Sequence, residues 1–360
     1  MDFETLCIHG NNKKYDTTGA ICVPIFASAT YAHPSVGQST GFDYSRLQNP
    51  TREHLEYTVA GLESGHDAIA FSSGMAATSV LMELFSPGDH IVASADLYGG
   101  TYRLFSQIST KNGMSFSYAD TLKEIASAIN PDTKAIFIET PTNPMMNVID
   151  IAAVAEISKE KGLLLIVDNT FLTPYFQKPL ALGADIVLHS GTKYLGGHND
   201  AMAGLLVVKN AELGEKLRII AKTTGAILSP FDSYLIIRGI KTLAIRMERH
   251  QETAKNIAEW LKAHEYVKAI YYCGLGGMVS FTVHNKDMAV RILERVKVIQ
   301  YAESLGGVES LITYPMLQTH ADVPESERNA RGINNCLLRL SVGLESANDL
   351  VTDLKQALED

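Results

Sequence analysis

Two short apolar runs, each followed directly by polar residues, lie within residues 163–200 of the chain. The first run ends at Asp168, and the second leads into a polar stretch that contains Lys193. Short aliphatic and β-branched runs of this kind are typical of the buried strands of a parallel sheet. Because ligands in open α/β sheets bind beyond the carboxyl ends of the strands, we expect Asp168 and Lys193 to project into one crevice.

A carboxylate and an amine in one crevice suit pyridoxal phosphate. This cofactor needs a lysine to form its Schiff base and an acid to keep its ring nitrogen protonated. The alternative is a salt bridge or a solvated loop lysine, which is the more common situation when only Asp168 and Lys193 are considered. Residues elsewhere in the chain have to decide between these interpretations.

A strand, a tight polar turn and a helix are predicted in sequence from about residue 68, with Gly74 and Met75 in the turn. A helix N-terminus has free backbone N–H groups and glycine allows close approach, so this turn is a candidate phosphate site. An ordinary βα turn with a serine cap is the alternative. The turn lacks the glycine spacing of dinucleotide-binding and P-loop motifs, and it lacks the G-x-S-x-G of serine hydrolases.

Three further residues are candidates for binding. Tyr98 lies at a predicted strand end, where its ring can stack on a flat cofactor or simply pack. Asn143 lies in a loop made rigid by two prolines, as a positioned hydrogen-bond donor or as an ordinary turn residue. Arg339 lies in a leucine-rich strand and needs a carboxylate partner, which an internal acid or a substrate can supply.

The net charge of the 360-residue chain is −9, which argues against a nucleic-acid-binding surface. No apolar run approaches the roughly 18–20 residues that span a bilayer, and the acidic N-terminus predicts no signal peptide. The four cysteines are scattered, which favours a cytoplasmic protein with reduced thiols over a disulfide scaffold. His189, His198 and Asp200 match no zinc-binding spacing, so no metal is expected.

Three regions are predicted along the chain. Residues 1–50 form an arm that contacts a neighbouring subunit, residues 51–235 form the cofactor-binding domain, and residues 236–360 form a C-terminal domain. In the last region, short strands separated by helices are typical of a smaller α+β domain. At the end of the arm, Thr51 is expected to cap a helix that begins near Glu53.

Eight segments resemble, in order and spacing, those of the cystathionine/methionine-metabolism family of pyridoxal-phosphate enzymes. They are DYSRLQNPTR, FSSGMAA, DLYGGTYRLF, ETPTNP, IVDNT, HSGTKYLGGHND, AESLGGVESLITYP and LLRLSVGLE. The resemblance covers essentially the whole chain. It implies an α/β, type I (aspartate aminotransferase-like) fold with a mostly parallel central sheet and a smaller C-terminal α+β domain. It also implies pyridoxal 5'-phosphate (PLP) as cofactor and a homotetramer, a dimer of catalytic dimers.

The same resemblance implies roles for individual residues. Lys193 is similar to the Schiff-base lysine, which also moves protons, and Asp168 to the acid that faces the ring nitrogen. Tyr98 resembles the ring-stacking tyrosine that assists leaving-group chemistry. The cofactor phosphate and phenolic oxygen would be bound by Gly74, Met75, Ser190, Thr192 and Asn143, and by Tyr44 and Arg46 of a neighbouring subunit. The substrate carboxylate would be held by Arg339 and Ser304.

The expected reaction depends mainly on two acids. Asp43 and Glu303 resemble residues of family members that handle cystathionine, where they suit the amino group at its far end or that of incoming cysteine. The short connection Gly274–Gly277 resembles that of bacterial synthases acting on O-acylhomoserine. We therefore expect γ-replacement of the acyl group of an O-acylhomoserine by cysteine or sulfide, giving cystathionine or homocysteine in methionine biosynthesis.

Two other functions remain as alternatives. A cystathionine β-lyase or γ-lyase of the same family would use nearly identical site residues, so the sequence discriminates poorly between lyase and synthase. A non-catalytic binding protein that keeps the fold is a more remote alternative, because the full set of cofactor-binding residues argues against it. The acyl group and the preferred thiol have no signature in the sequence.

Overall fold

The computed structural model describes residues 1–10, 18–321 and 323–359 of the chain. Within these residues, a seven-stranded sheet has the strand order β1-β7-β6-β5-β4-β2-β3. Its strands are β1 (Asp67–Phe71), β2 (His90–Ser94), β3 (Ser115–Ala119), β4 (Thr133–Glu139), β5 (Leu164–Asp168), β6 (Ile186–Ser190) and β7 (Gly204–Val208). Strands β2 to β6 pair in parallel, whereas β7 runs antiparallel to both β1 and β6.

Apolar residues cover both faces of this sheet. In β5, Leu165 and Val167 join a core on one face, while Ile166 joins a core on the other face. Each aliphatic side chain buried in this way contributes about 1.5–3 kcal/mol relative to an exposed one. Burial on both faces explains why inner strands such as β5 and β7 are apolar at most positions, whereas the edge strand β3 alternates serine with aromatic residues.

Helices supply the layers on either side of the large sheet and on the second sheet. They are α1 (Phe3–His9), α2 (Pro50–Glu63), α3 (Gly74–Met82), α4 (Gly99–Arg103), α5 (Leu122–Ala128), α6 (Ile151–Lys161), α7 (Thr173–Phe176), α8 (Ala211–Thr224), α9 (Pro230–Ile240), α10 (Leu243–Ala263), α11 (Lys286–Arg295), α12 (Glu325–Ala330) and α13 (Ala347–Glu359). A wider π-helical turn, Leu104–Ser109, continues α4. No helix in the described part of the chain is long and apolar enough to cross a membrane.

A second sheet of five strands follows in the C-terminal part of the chain, with the order β10-β11-β12-β9-β8. Its strands are β8 (Val267–Tyr271), β9 (Met278–Val283), β10 (Gln300–Tyr301), β11 (Leu311–Thr313) and β12 (Leu337–Ser341). Residues of α10, α11 and α13 form a third apolar core with this sheet. The α+β character predicted for this part of the chain is therefore present.

The N-terminal boundary of α2 differs from the prediction. The helix begins at Pro50, and its N-cap is Asn49, whose side chain accepts hydrogen bonds from the N–H groups of Thr51 and Arg52. Thr51 is already inside the first turn, and its hydroxyl instead donates to the carbonyl of Pro24 at 2.8 Å. Asparagine is a strong N-cap and proline is favoured in the next position, so the sequence Asn-Pro itself encodes this start.

The predicted domain boundaries remain predictions. Helix α1 packs on α2 and α10, and much of residues 18–48 has no regular secondary structure. Helix α9 continues without a break across the predicted boundary between residues 235 and 236. The two sheets are nevertheless well separated along the sequence, one within residues 67–208 and the other within residues 267–341.

Candidate active site

A cavity of about 460 Å³ opens at the carboxyl ends of the central parallel strands. Strands β4, β5 and β6 end side by side, which places Glu139, Asp168 and Ser190 at one edge of the large sheet. Strand β12 of the second sheet brings Arg339 to the opposite wall. Eleven of the fourteen predicted site residues line this cavity: Gly74, Met75, Tyr98, Asn143, Asp168, Ser190, Thr192, Lys193, Glu303, Ser304 and Arg339.

Lys193 lies in the turn after β6, and its Nζ donates to Oγ of Ser304 at 3.0 Å. Burial, and then the positive charge of Arg339, lower the pKa of Lys193 to about 8, while Glu303 acts in the opposite direction. A lysine in this state is neutral in an appreciable fraction of molecules near neutral pH. It is therefore suited to act as a nucleophile or as a base.

Ser304 has a strained backbone, with φ of +97°. This left-handed conformation is uncommon for a residue with a side chain and is found most often at functional sites. It turns the Oγ of Ser304 toward Lys193, and it presents the carbonyl oxygen of Ser304 to Nη2 of Arg339 at 3.1 Å. One residue thus connects the amine to the guanidinium.

Arg339 is buried, with 1% of its surface exposed. Its Nη1 donates to Oδ1 of Asn143 at 2.7 Å, and its Nη2 also reaches Oγ1 of Thr313 at 3.2 Å. Among the described residues no carboxylate lies within ion-pair distance of this guanidinium, and its Nε has no hydrogen-bond acceptor. Burial lowers the pKa of Arg339 to about 10. A guanidinium held in this way can bind an incoming carboxylate.

Asp168 is the last residue of β5, and its side chain is fixed by Thr170. Its Oδ1 accepts hydrogen bonds from the backbone N–H and the hydroxyl of Thr170, at 3.0 and 2.5 Å. Burial raises the pKa of Asp168, and the two bonds from Thr170 oppose that shift. The other face of Asp168 opens onto the cavity, where it can meet a cationic ring nitrogen.

The start of α3 has the features of a phosphate site. Oγ of Ser73 caps the helix by accepting from N–H of Ala76 at 3.0 Å, and the first turn leaves the N–H groups of Gly74 and Met75 outside the helical ladder. A Cβ at Gly74 would lie only 3.1 Å from Cβ of Ser190. Glycine therefore lets the helix end approach the Ser190 hydroxyl closely.

Tyr98 lies directly before α4, and 42% of its surface is exposed. Its backbone N–H donates to Oε2 of Glu139 at 2.9 Å, which fixes the residue at the cavity wall. A Cβ at Gly100 would come within 2.5 Å of the Tyr98 ring. In this arrangement a residue with a side chain at position 100 would displace the ring.

Asp43, Tyr44 and Arg46 do not line the cavity of their own chain. Asp43 accepts from Oγ of Ser39 at 2.8 Å and lies 3.5 Å from His33. The guanidinium of Arg46 donates to the carbonyl of Lys222 and lies 5.6 Å from the centre of the Tyr44 ring. Tyr44 is 46% exposed. If these residues bind the cofactor or substrate, they do so in another copy of the chain.

Several residues at the cavity escaped the sequence analysis. Glu139, Thr170, Ser73 and Met202 all line it. Glu139 had a signal comparable to that of Asp168, since both are single acids at the end of an apolar strand. Thr170 had the weaker signal of a hydroxyl two residues after an acid, a spacing that permits an Asx-type hydrogen bond.

The histidines considered for a metal site have other partners. Nε2 of His189 lies 2.6 Å from Oε1 of Glu63, and both side chains are fully buried. Nδ1 of His198 lies 2.7 Å from the carbonyl oxygen of Gly196. In residues 1–10, 18–321 and 323–359 no three potential ligands converge on a point that could hold a metal ion.

Comparison with known proteins decides the family. The family model described as "Cys/Met metabolism PLP-dependent enzyme" matches residues 4–359. The chain belongs to this family. The predicted family, the type I fold and the PLP cofactor are thereby confirmed, and the family's enzymes act in cysteine and methionine metabolism by trans-sulfuration.

Individual members of the family are similar over their full length. Cystathionine gamma-synthase of Haemophilus influenzae is 54% identical over 358 residues, with 98% of this chain and 97% of the relative covered. A protein of Bacillus subtilis named cystathionine gamma-synthase/O-acetylhomoserine (thiol)-lyase is 53% identical, with coverage of 99% and 96%. The crystal structure of cystathionine gamma-lyase from Lactobacillus plantarum complexed with L-serine superposes with a TM-score of 0.96 at 44% identity, with coverage of 99% and 98%.

The residues of this PLP enzyme fit the cofactor that the family uses. The cavity has a volume within the usual range for a small-ligand site, about 300–1,000 Å³. Along it lie a helix N-terminus with a glycine for the phosphate, an acid for the ring nitrogen and a lysine of lowered pKa for the aldehyde carbon. These three groups would hold PLP at both ends and at its reactive carbon. The individual roles remain predictions.

Proposed function

We propose that this enzyme is a cystathionine γ-synthase-like transferase, which replaces the acyl group of an O-acylhomoserine by cysteine, or by sulfide. The observation that carries the proposal is the position of Glu303. Glu303 lines the cavity and also an adjoining one of about 520 Å³, and it has no ion-pair partner among the described residues. An unpaired acid at this place suits the ammonium group of a second amino-acid substrate. The two γ-synthase relatives reported above support the same reaction.

In this proposal Arg339 binds the α-carboxylate of the acylhomoserine. Its guanidinium is buried and is held by Asn143 and by the carbonyl of Ser304, so that its fork is already oriented. The substrate carboxylate would be the negatively charged partner of Arg339 that the described residues of the protein do not supply. This contact also sets the position of the substrate Cα relative to Lys193.

Lys193 acts as the proton carrier. Its amine removes the proton from Cα of the substrate, and Ser304 holds the Nζ through the hydrogen bond at 3.0 Å. When bound, PLP supplies an electron sink for the charge left at Cα, with Asp168 as the partner of its ring nitrogen. After loss of a Cβ proton, the Cγ–O bond breaks and the acyloxy group leaves as a carboxylate. The thiolate of cysteine, or sulfide, then forms the new C–S bond at Cγ, and protons return to Cβ and Cα.

We propose further that each active site is completed by a second copy of the chain, within a homotetramer built from two catalytic dimers. Tyr44 and Arg46 would bind the cofactor phosphate of the neighbour, and Asp43 would join Glu303 at the amino group of the thiol substrate. Their absence from the cavity of their own chain supports this arrangement. In this proposal the substrates are small amino acids, and neither a nucleic acid nor a membrane is a partner. The proposed location of the enzyme is the cytoplasm.

A cystathionine lyase is the second candidate function. The L. plantarum γ-lyase structure is 44% identical to this chain, which keeps this candidate open. The same Lys193, Arg339 and PLP would also serve cleavage. The two candidates differ in products. A γ-lyase releases cysteine and 2-oxobutyrate from cystathionine, a β-lyase releases homocysteine and pyruvate, and a synthase makes cystathionine.

A product assay on the PLP-loaded enzyme separates the two candidates. One reaction contains O-acetylhomoserine and cysteine, a second O-succinylhomoserine and cysteine, and a third cystathionine alone. We expect cystathionine in the first or second reaction and little keto acid in the third. Rapid keto-acid release in the third reaction with no condensation in the others would replace the synthase assignment by a lyase assignment.

Subunit complementation tests the shared site. The variants R46A and K193A are each expected to be inactive, because each lacks one part of every site. After mixed refolding, random pairing should restore about a quarter of the sites, since one site of each mixed dimer receives both native residues. If equal mixtures stay inactive, the shared site is refuted. Either one chain supplies both Arg46 and Lys193 to its own site, or Arg46 does not belong to any active site.

A further inference from the structure

Two carboxylic acids stand side by side at the floor of the cavity. Glu139 and Asp168 are register partners on the adjacent parallel strands β4 and β5, and each is the last residue of its strand. Register partners on one sheet face lie about 5 Å apart at Cβ. Both residues line the cavity, and only 6% of the surface of Glu139 is exposed.

Neither acid is neutralised by the protein. In the described part of the chain, no lysine, arginine or histidine nitrogen lies within 4 Å of either carboxylate. The charged groups that face Glu139 are Asp168, Asp96 from the loop after β2, and Arg339 from β12. The guanidinium of Arg339 is directed instead to Asn143 and Ser304.

The hydrogen bonds of the two acids differ. Asp168 receives two hydrogen bonds on Oδ1 from Thr170, and these favour the ionised form. Glu139 receives one, on Oε2, from the backbone N–H of Tyr98. A neutral carboxylic acid can accept this single bond through its carbonyl oxygen, whereas two adjacent buried carboxylates sharing one site do not both ionise.

We infer that Glu139 is a neutral carboxylic acid that positions Tyr98 and leaves the single negative charge of the pair on Asp168. Burial and the neighbouring Asp168 raise the pKa of Glu139 well above its usual range, in agreement with this geometry. The cavity floor then carries one negative charge for one cationic ring nitrogen. The inference rests on the proposed role of Asp168, but it does not depend on which trans-sulfuration reaction the enzyme catalyses.

The same chemical change at the two neighbouring acids tests the inference. The readout is the dissociation constant of PLP, measured by absorbance titration of the cofactor-depleted protein without substrate. D168N removes the needed anion, and we expect the dissociation constant to rise about a hundredfold or more. E139A removes the acceptor of the Tyr98 N–H and should raise it roughly tenfold. E139Q keeps a neutral acceptor and should restore the constant to within about threefold of wild type.

A loss of affinity in E139Q as large as that in E139A or D168N would overturn the inference, because Glu139 would then be required as an anion. A merely structural Glu139 would give a different pattern, with both variants at position 139 losing thermal stability in proportion to affinity. For this reason the melting temperature of each variant is measured alongside.

Infrared spectroscopy of the wild-type protein keeps the inference testable even when E139Q does not fold. With ¹³C in the side-chain carboxyl of every glutamate, a protonated glutamic acid gives a carbonyl band that shifts with the label. We expect this band at neutral pH. Two other glutamates, Glu56 and Glu63, are also deeply buried. Glu56 is paired with Arg52 and Arg218, and Glu63 lies 2.6 Å from Nε2 of His189. The band is therefore assigned to Glu139 by its disappearance in E139A. A spectrum with no label-sensitive acid band would refute a neutral Glu139.

Discussion

Buried charge is arranged differently at two places in this molecule. Beneath α2, Arg218 of α8 lies 3.2 Å from Glu56 and 2.6 Å from Asp67, and Arg52 lies 3.6 Å from Glu56. Every charge in this cluster has an opposite charge beside it. At the cavity, Arg339 and Lys193 have no ion-pair partner within the described residues, although both are largely buried.

The difference shows which cluster serves the fold and which serves a ligand. A buried charge without a partner is costly, whereas a hydrogen-bonded buried pair is tolerated and becomes costly only when one member is removed. The protein therefore stabilises α2, β1 and α8 with a closed network, and it leaves the cavity charges for the cofactor and substrate to neutralise. Removal of a charge should accordingly harm stability at the first place and function at the second.

Replacing the cavity lysine should have the largest functional effect. K193A removes the group that carries the Cα proton, and we expect turnover to fall by at least about 10³-fold to 10⁴-fold. The melting temperature should not fall. K216A, which removes an exposed lysine paired with Glu212 on the surface of α8, is the matched control and should leave both quantities unchanged. Substantial turnover in K193A would contradict the assignment of Lys193.

Replacing the cavity arginine should come next. R339M removes the partner of the substrate carboxylate and should lower kcat/KM roughly a hundredfold or more. The free energy of unfolding of the substrate-free protein should change by only about 1 kcal/mol, because the lost hydrogen bonds are offset by removal of an unpaired buried charge. A large loss of stability with unchanged kcat/KM would place Arg339 with the structural cluster instead.

The sequence alone predicted the site residues whose position follows from the strand or loop in which they lie. Asp168 and Lys193 follow apolar strands, and the rule that strand ends of a parallel sheet share one edge was sufficient to place them in one crevice. The same rule predicts Glu139 in that crevice as well. Glu139 was not predicted because the two prolines of the following loop pointed to Asn143 as the candidate residue of this segment. The second sheet was predicted as strands and helices without the pairing that brings β12 to the cavity.

The contacts that complete the site are long-range and have no local signature. Lys193 and Ser304 are 111 residues apart, and Arg339 and Asn143 are 196 residues apart. The positive φ of Ser304 is likewise imposed by tertiary contacts, since serine has no preference for it. Only the family resemblance pointed to Ser304, whereas Arg339 was also indicated by its position as a charged residue in a leucine-rich strand. It also assigned Tyr44 and Arg46 to another subunit, which the position of these residues in a single chain accommodates but does not test.

The pH dependence of stability should reveal the unpaired charge of Lys193. Lys193 has a pKa of about 8 in the folded state, below its ordinary value of 10.5. The folded state therefore binds fewer protons than the unfolded state between these values, and stability rises with pH across that window. The destabilisation is fully present below about pH 8, amounts to roughly 3 kcal/mol, and vanishes above about pH 10.5.

Denaturant unfolding of cofactor-free wild type and K193M measures this effect. The variant should be more stable at pH 7, and its advantage should shrink steadily as the pH rises toward 10. An advantage that does not depend on pH would mean that improved packing, and not the removed charge, is responsible.

Breaking the paired cluster should affect stability alone. R218M leaves Glu56 and Asp67 without their shared partner, and we expect a loss of roughly 2 kcal/mol, reduced from the usual cost of a fully buried pair because the arginine side chain is 38% exposed. The R218M variant should keep its activity when it is assayed at a temperature well below its melting temperature. R249M, which breaks a pair between exposed residues on α10, should cost less than about 0.5 kcal/mol. Equal losses in the two variants would remove the distinction between a buried network and a surface pair.

Glu303 lies between the two cases, since it is unpaired like the cavity charges but exposed to solvent. Solvent weakens its attraction for an ammonium group, so we expect E303Q to raise the KM for cysteine only about tenfold. Sulfide carries no ammonium group, and its KM should not change, which makes it the control within the same variant. The KM for the O-acylhomoserine should also remain nearly constant, because Arg339 binds that substrate by its carboxylate. A rise in KM for sulfide equal to that for cysteine would show that Glu303 acts on the cavity as a whole and not on the second amino acid.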